Sequence, residues 1–531
     1  MKQFEVVRKQ IEYVSKALEI VLFLIIERSL GLEGSGFYLV SLMTFSMLWL
    51  FFGEYLPDAL AKLIRVRRSK GQHNSVREIR FIAFFCQLFM GILGSLIMLA
   101  LGTLLADKVY LCTYAELMIW ILSPVIFLRG MTFLFLGFCQ GEGYELPAVI
   151  TCIARPIAIY GIGSAISIMT GNYGEKVSAV LKQERFTPMY TATGWSIAFV
   201  LAELLMLAIV IVSFIGTKRK NHNRDEDSLR ASVSVQGYVG ALFRNVKYKI
   251  LIRFLEMFPI VIGMMIFFRK EKEKAPLTYG TYFVGYFAIC LIAYYLMCAV
   301  IVPFWGRVYG HNKQGEKRLA RITFHGGIHL VFVLAGAISV SIAMLPSQFG
   351  GLAGFTSPQL VKVVVPGSFW ILFMSLAFYF SRMMMRMKKN LLCVCTAALC
   401  DILFLMLFLI FGKDEKMGIL ALVYACLISS AVYALMLAGL TISIIGGKVK
   451  WLQVLWIPAI GVAIMGGIQY ICVKFLGMYI KDLFIVVGVG GLGIFFYLCG
   501  LLFAKNFDEE ELSLIGSGKF LFGLGKMLGV F

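Results

Sequence analysis

Apolar residues fall along this chain in runs of roughly 18–25, separated by short charged segments, and a run of that length crosses a ~30 Å hydrocarbon core as a helix. The runs predict helices at roughly 11–28, 37–62, 80–105, 114–139, 146–170, 192–216, 248–268, 279–305, 321–345, 360–383, 391–411, 418–445, 452–476 and 482–504. The expected fold class is therefore an all-α integral membrane protein with about fourteen transmembrane helices. Composition sharpens this: the 531 residues are 60% hydrophobic and 15% charged, with mean hydropathy +0.84, whereas a soluble domain is ~45–50% apolar and ~25% charged. A soluble globule is excluded.

Charge sets the expected orientation. Lys and Arg concentrate roughly two to one in alternate loops, above all 62–80 and 217–249, and such residues are retained on the cytoplasmic side during insertion. Both termini are expected in the cytoplasm. The formal charge of +20 does not point to nucleic acid, because the basic residues lie in loops between spans and form no stripe with interleaved exposed aromatics. Most of the cysteines lie inside apolar runs, where they act as small hydrophobes, so no disulfide framework is expected. The first apolar run has no small-residue cleavage site after it and is expected to remain as a span.

An internal repeat organises the runs. Ala17-Leu18-Glu19-Ile20-Val21 matches Phe254-Leu255-Glu256-Met257-Phe258, and Gly36-Phe37-Tyr38-Leu39-Val40 matches Gly280-Thr281-Tyr282-Phe283-Val284. Pro57 answers Pro303 near the ends of the second and eighth spans. Six spans, an even number, separate the copies, so both enter the membrane in the same direction. The expected organisation is an N-lobe over 1–217, a cytoplasmic linker over 218–247, a C-lobe over 248–446, two further spans over 447–505, and a cytoplasmic amphipathic tail over 506–531. In that tail Leu512, Ile515, Phe520, Leu524 and Met527 alternate with Lys519 and Lys526 behind an acidic start.

With these elements placed, the chain resembles the multidrug/oligosaccharidyl-lipid/polysaccharide (MOP) exporter superfamily, and within it the prokaryotic polysaccharide-transport branch that includes the stage V sporulation protein B type and lipid-linked sugar flippases. The residues that carry the resemblance are Leu30-Gly31-Leu32-Glu33-Gly34-Ser35-Gly36-Phe37-Tyr38, then Leu128-Arg129-Gly130 running on to Gln140-Gly141-Glu142-Gly143 before Pro147, and the tail Glu509-Glu510-Glu511-Leu512-Ser513-Leu514-Ile515. The resemblance implies two six-helix bundles around a central cavity open alternately to each side. It also implies a prokaryotic plasma-membrane location and a cargo of polyprenyl-pyrophosphate-linked saccharide, moved from inner to outer leaflet with membrane lipids around it. Glycosyltransferases or a polymerase of the same pathway are the implied partners.

An ionisable side chain at a helix centre costs ~2.5–3.5 kcal/mol on insertion scales, so each deep one is a functional candidate. Arg129 lies twelve residues before Gly141, ~18 Å along a helix and too deep to snorkel. Arg155 lies ten residues past Glu145 and directly before Pro156; Arg253 is shallower. A guanidinium stays charged and forks onto two phosphate oxygens, so Arg129, Arg155 and Arg253 are the candidate substrate-binding set for a pyrophosphate; the competing reading is that each ties helices together through a nearby acid. The ion-coupling candidates for Na⁺ or H⁺ are Glu256 and Asp401, to which the resemblance points through their places on spans seven and eleven, together with Glu19, at the repeat position of Glu256, and Glu203 on span six. Arg253, three residues before Glu256, is positioned to neutralise it.

No cofactor or resident metal is expected. His325 and His329 lack a third ligand, and Cys393, Cys395 and Cys400 fit no zinc spacing. Gly488-Val489-Gly490-Gly491-Leu492-Gly493 satisfies G-x-G-x-x-G but lies inside a span, where close helix packing is its use. No nucleophile-and-base pair and no phosphate-cradling loop followed by Lys-Ser/Thr is present, so no enzyme is expected. Two rivals remain: a MATE-like multidrug or cation antiporter, which calls for acids rather than arginines in its cavity, and a membrane-embedded sugar-polymer ligase or polymerase, which calls for a larger outer loop than 171–190.

Overall fold

The computed structural model describes residues 2–221, 235–352, 358–414, 417–446, 450–476 and 480–507, with 522, 523, 526 and 527. The amphipathic tail expected over 506–531 and most of the linker expected over 218–247 lie outside the described residues. Every regular element among the described residues is helical. In chain order these are α1 (Lys2–Phe52), α2 (Leu56–Arg68), α3 (His73–Thr103), α4 (Glu116–Gly141), α5 (Leu146–Leu181), α6 (Phe186–Asn221), α7 (Val235–Glu271), α8 (Ala275–Tyr282) and α9 (Ala288–Lys313). They continue as α10 (Lys317–Met344), α11 (Pro346–Leu352), α12 (Pro358–Gly367), α13 (Trp370–Arg386), α14 (Asn390–Phe411), α15 (Ile419–Ile445), α16 (Ile457–Leu476), α17 (Asp482–Ile485) and α18 (Leu492–Phe503).

Twelve helical stretches among the described residues are long and apolar enough to cross a membrane. Two of them, Phe4–Arg68 and Val246–Lys313, run 65 and 68 residues, more than twice the ~20 that one crossing needs, so each holds two spans and the count comes to fourteen. The first double stretch breaks at Gly31, whose φ of +70° lies in the left-handed region that glycine adopts without strain. The chain is a multi-pass membrane protein.

The chain divides into two compact units, Met1–Ser15 with Leu22–Thr281, and Lys16–Val21 with Tyr282–Phe531. The whole of the seventh span, carried by α7, groups with the first unit, where it packs on α2 and α3. Two apolar clusters hold the first unit. One gathers Phe45, Trp49, Met98, Ile119, Leu122, Ile126, Ile159 and Phe199; the other gathers Leu60, Ile64, Ile79, Met131, Leu134 and Phe138. Lipid tails are as apolar as these side chains, so the clusters stabilise through close packing rather than through removal of surface from water.

Two repeat-equivalent glycines in the first unit show what that packing demands. A Cβ at Gly36 would collide with the Pro276 carbonyl and lie 2.7 Å from Pro276 Cα; a Cβ at Gly280 would collide with the Leu32 carbonyl and lie 2.9 Å from its carbon. Gly36 matches Gly280 in the repeat, and Leu32 precedes Gly36 by the same four residues by which Pro276 precedes Gly280. The contact is therefore reciprocal, each copy seating its glycine against the other's backbone. Only a residue without a side chain permits backbones to approach that closely.

In the second unit, buried polar groups tie the last two spans to α10. Gln469 on α16 donates through Nε2 to Ser341 Oγ at 2.9 Å and to Val489 O at 3.3 Å. A Cβ at Gly493 would collide with the Gln469 amide, so the glycine-rich run is used for close helix packing. Beyond α18, Asn506 Nδ2 lies 2.9 Å from His329 Nε2, and the Phe507 ring stacks on the His329 ring with centroids 4.3 Å apart. Asn506, Phe507 and His329 are all buried. Among the described residues no three His, Cys, Asp or Glu side chains gather as metal ligands.

Candidate functional site: a two-arginine centre on one buried glutamate

Arg129 sits deep in α4, a helix whose flanking residues are almost all apolar and buried, and a guanidinium there is tolerated only beside an opposite charge. The partner comes from α6, where Glu203 follows Phe199 by one helical turn. Arg129 Nε and Nη2 both donate to Glu203 Oε1, at 2.8 and 2.5 Å. Arg155, on α5 just before Pro156, places its Nε 2.8 Å from the same oxygen. Arg129 and Arg155 therefore each link their helix to α6 through this acid, the helix-tying arrangement that the sequence left open beside phosphate binding.

Aromatic rings frame the centre. The Arg129 guanidinium carbon lies 5.0 Å from the Phe199 ring centre, 5.1 Å from that of Phe45 and 5.8 Å from that of Trp49; the Arg155 guanidinium carbon lies 5.5 Å from the Phe133 ring centre. Ring faces are negative, so they stabilise the cations without neutralising them. Two guanidiniums from different helices thus share one carboxylate oxygen. The Glu203 side chain is 0% exposed, while those of Arg129 and Arg155 keep 11% and 13%. The acid is thus the more deeply buried partner and the two guanidiniums keep a small exposed fraction.

The remaining candidates stand elsewhere. Arg253 on α7 lies 3.6 Å from Glu256, so the two neutralise each other on one helix face and neither joins the centre. Asp401 is buried on α14 in the second unit, and Glu19, on the part of α1 that belongs to that unit, is exposed. Glu256 and Asp401 therefore lie in different units.

Spacing along the sequence gave no sign of a second charged group in the first unit, at the end rich in Lys and Arg. Arg8 pairs with Asp58 at 2.8 Å and with Glu145 at 2.9 Å, and Lys9 with Asp58 at 3.2 Å. Arg65 also pairs with Glu145 and donates through Nε to the Gln140 carbonyl at 3.0 Å. Arg80 pairs with Glu142, whose carbonyl accepts from Arg68 at 3.2 Å. Gln140-Gly141-Glu142-Gly143 is thus the turn on which basic residues of α2 and α3 converge. Gly141 is needed because a Cβ there would press to 2.7 Å on Ile64, and Gly143 because its φ is +94°.

No family model and no curated protein sequence matches the chain. Solved structures do. The lipid II flippase MurJ in an inward closed conformation matches with a TM-score of 0.61 at 14% identity, over 95% of this chain and 99% of that one. A MATE transporter in a bent conformation matches at 0.58 and 13%, over 82% and 93%, and an inward-facing multidrug resistance MATE transporter of the MOP superfamily at 0.58 and 11%, over 84% and 94%. The chain has the fold that these flippase and MATE structures share. Identities this low establish the fold alone.

Proposed function

We propose that the chain is a non-enzymatic flippase that moves a polyprenyl-(pyro)phosphate-linked saccharide from the inner to the outer leaflet of a prokaryotic plasma membrane by alternating access, with both termini in the cytoplasm. The observation that carries this reading is that Arg129 and Arg155, from two helices, are brought together on the one buried carboxylate of Glu203. Guanidinium groups grip phosphate through paired, charge-assisted hydrogen bonds. Glu203 acts as a positioning residue that holds both cations in place. Coverage supports the same reading: the flippase is matched over 95% of the chain and the first MATE structure over 82%, a difference of about 70 residues, enough for two spans and their connection.

Coupling to an ion gradient or to the membrane potential is assigned to Asp401, a carboxylate buried within a span. The second reading, a MATE-like exporter of cationic drugs, is favoured by the MATE matches and opposed by the centre, whose one acid is already engaged by two arginines. Depleting the protein in its own cell separates the two. Lipid-linked saccharide accumulating on the inner leaflet, with unchanged drug susceptibility, supports the flippase; heightened susceptibility to cationic amphiphiles with normal export overturns it.

A further inference from the structure

A second positively charged concavity lies in the second unit, where the last turns of α9, α13 and α15 meet the first turn of α10. Its volume is about 590 Å³, within the range of small-molecule sites, and its walls include Lys317, Arg321, Arg386 and Lys388 beside Met383 and Ile445. Among the described residues no acid lines it. The acid that directly precedes Lys317, Glu316, is held by His311 Nδ1 at 2.7 Å. The four cationic side chains are exposed, so water screens their mutual repulsion while leaving them accessible to an anion that enters the hollow. The first turn of α10, a helix of 28 residues, adds the positive end of its dipole and its unbonded backbone N–H groups from the same side.

The lining is mixed in a way that narrows the ligand. The cations in the lining suit a phosphate, and Met383 and Ile445 in the same lining suit a hydrocarbon stem. The lining residues come from the helix ends around 306–321, 382–389 and 444–446, at connections of the Lys- and Arg-rich set that insertion keeps on the side of the anionic leaflet. We infer that this hollow is a binding site for a phosphate-bearing anion, supplied by an anionic phospholipid headgroup or by a soluble phosphate ester. It is separate from the Arg129 centre and does not depend on what that centre carries.

The test uses the full chain purified in neutral detergent, with binding read by thermal shift and by titration against phosphatidylglycerol, phosphatidylcholine of the same chains, and glycerol 1-phosphate. Phosphatidylglycerol should bind and phosphatidylcholine should not. The Arg321→Gln/Arg386→Gln variant should weaken that binding by about 10–30-fold, at ~1 kcal/mol per removed charge. Lys70→Gln/Arg77→Gln, which removes as many charges from loop 62–80, should change it less than about twofold. Binding of glycerol 1-phosphate as tight as that of the lipid assigns the site to soluble esters; weaker or absent binding assigns it to the headgroup. Should the double variant fail to fold, Lys388→Gln alone is read the same way, with an expected loss of about fivefold. Equal binding of the two lipids with none of glycerol 1-phosphate, an unchanged pocket variant, or equal losses in pocket and control variants would each overturn the proposal.

Discussion

Removing Glu203 should act chiefly on stability, and removing Arg155 chiefly on transport. At the effective dielectric of ~20 that describes charges in proteins, each guanidinium–carboxylate pair with charge centres ~4 Å apart contributes ~4 kcal/mol of attraction, and two guanidiniums ~5–6 Å apart repel by ~3 kcal/mol. Glu203→Gln deletes both attractions and leaves the repulsion between two buried cations. Stripping one partner from a buried ion cluster costs about 3–5 kcal/mol, which lowers the melting temperature on the order of 5–10 °C for a unit of this size. Arg155→Met leaves the pairing of Arg129 with Glu203 at 2.5–2.8 Å intact and neutral, and replaces a half-apolar side chain by one of similar length. Its stability should fall by less than about 1.5 kcal/mol. Its transport should fall at least tenfold, because one of the two guanidiniums offered to the phosphate is gone. Thermal melts in detergent measure the first quantity, and complementation with matched protein levels measures the second. An E203Q protein as stable as the parent, or an R155M protein that transports normally, would refute the reasoning.

Further expectations rest on other parts of the molecule. Gly280→Ala should destabilise by about 1–3 kcal/mol, since its Cβ meets backbone that cannot yield, whereas Gly306→Ala, in open space on α9, should be neutral or slightly stabilising; melts of the two variants side by side check this. Asn506→Ala removes the buried contact to His329 and should cost about 1–2 kcal/mol, with limited proteolysis after residue 507 becoming faster; unchanged proteolysis would count against that docking. Asp401→Asn should leave folding intact and abolish dependence of transport on the driving ion or on the potential. Export that still tracks the gradient in that variant would move the coupling elsewhere.

The chain pattern disclosed the elements well and the contacts between them unevenly. Fourteen spans were legible because length and apolarity are local properties, and the repeat exposed Gly36 and Gly280 as equivalents before their reciprocal contact was seen. The depth of Arg129 followed from counting residues back from Gly141, which marked it as a buried charge. Its partner did not follow, because Glu203 lies on another helix and only packing of α4, α5 and α6 brings Arg129, Arg155 and Glu203 together. By contrast, the pairing of Arg253 with Glu256 was readable from i,i+3 spacing alone. The network of Arg8, Asp58, Arg65 and Glu145 was invisible for the same reason as the triad: its members are scattered over the ends of separate helices, where a charged residue in a loop looks like ordinary solvated surface.

Transbilayer movement in proteoliposomes is the most direct measurement. The full chain is reconstituted with a fluorescent polyprenyl-pyrophosphate-linked saccharide, and the fraction reached by a membrane-impermeant quencher is followed over time. Parent protein should carry probe from the protected to the accessible leaflet, and R155M at the same density should not. If both move the probe at equal rates, or if the parent ignores it while exchanging a cationic amphiphile, the anion-carrying centre is contradicted.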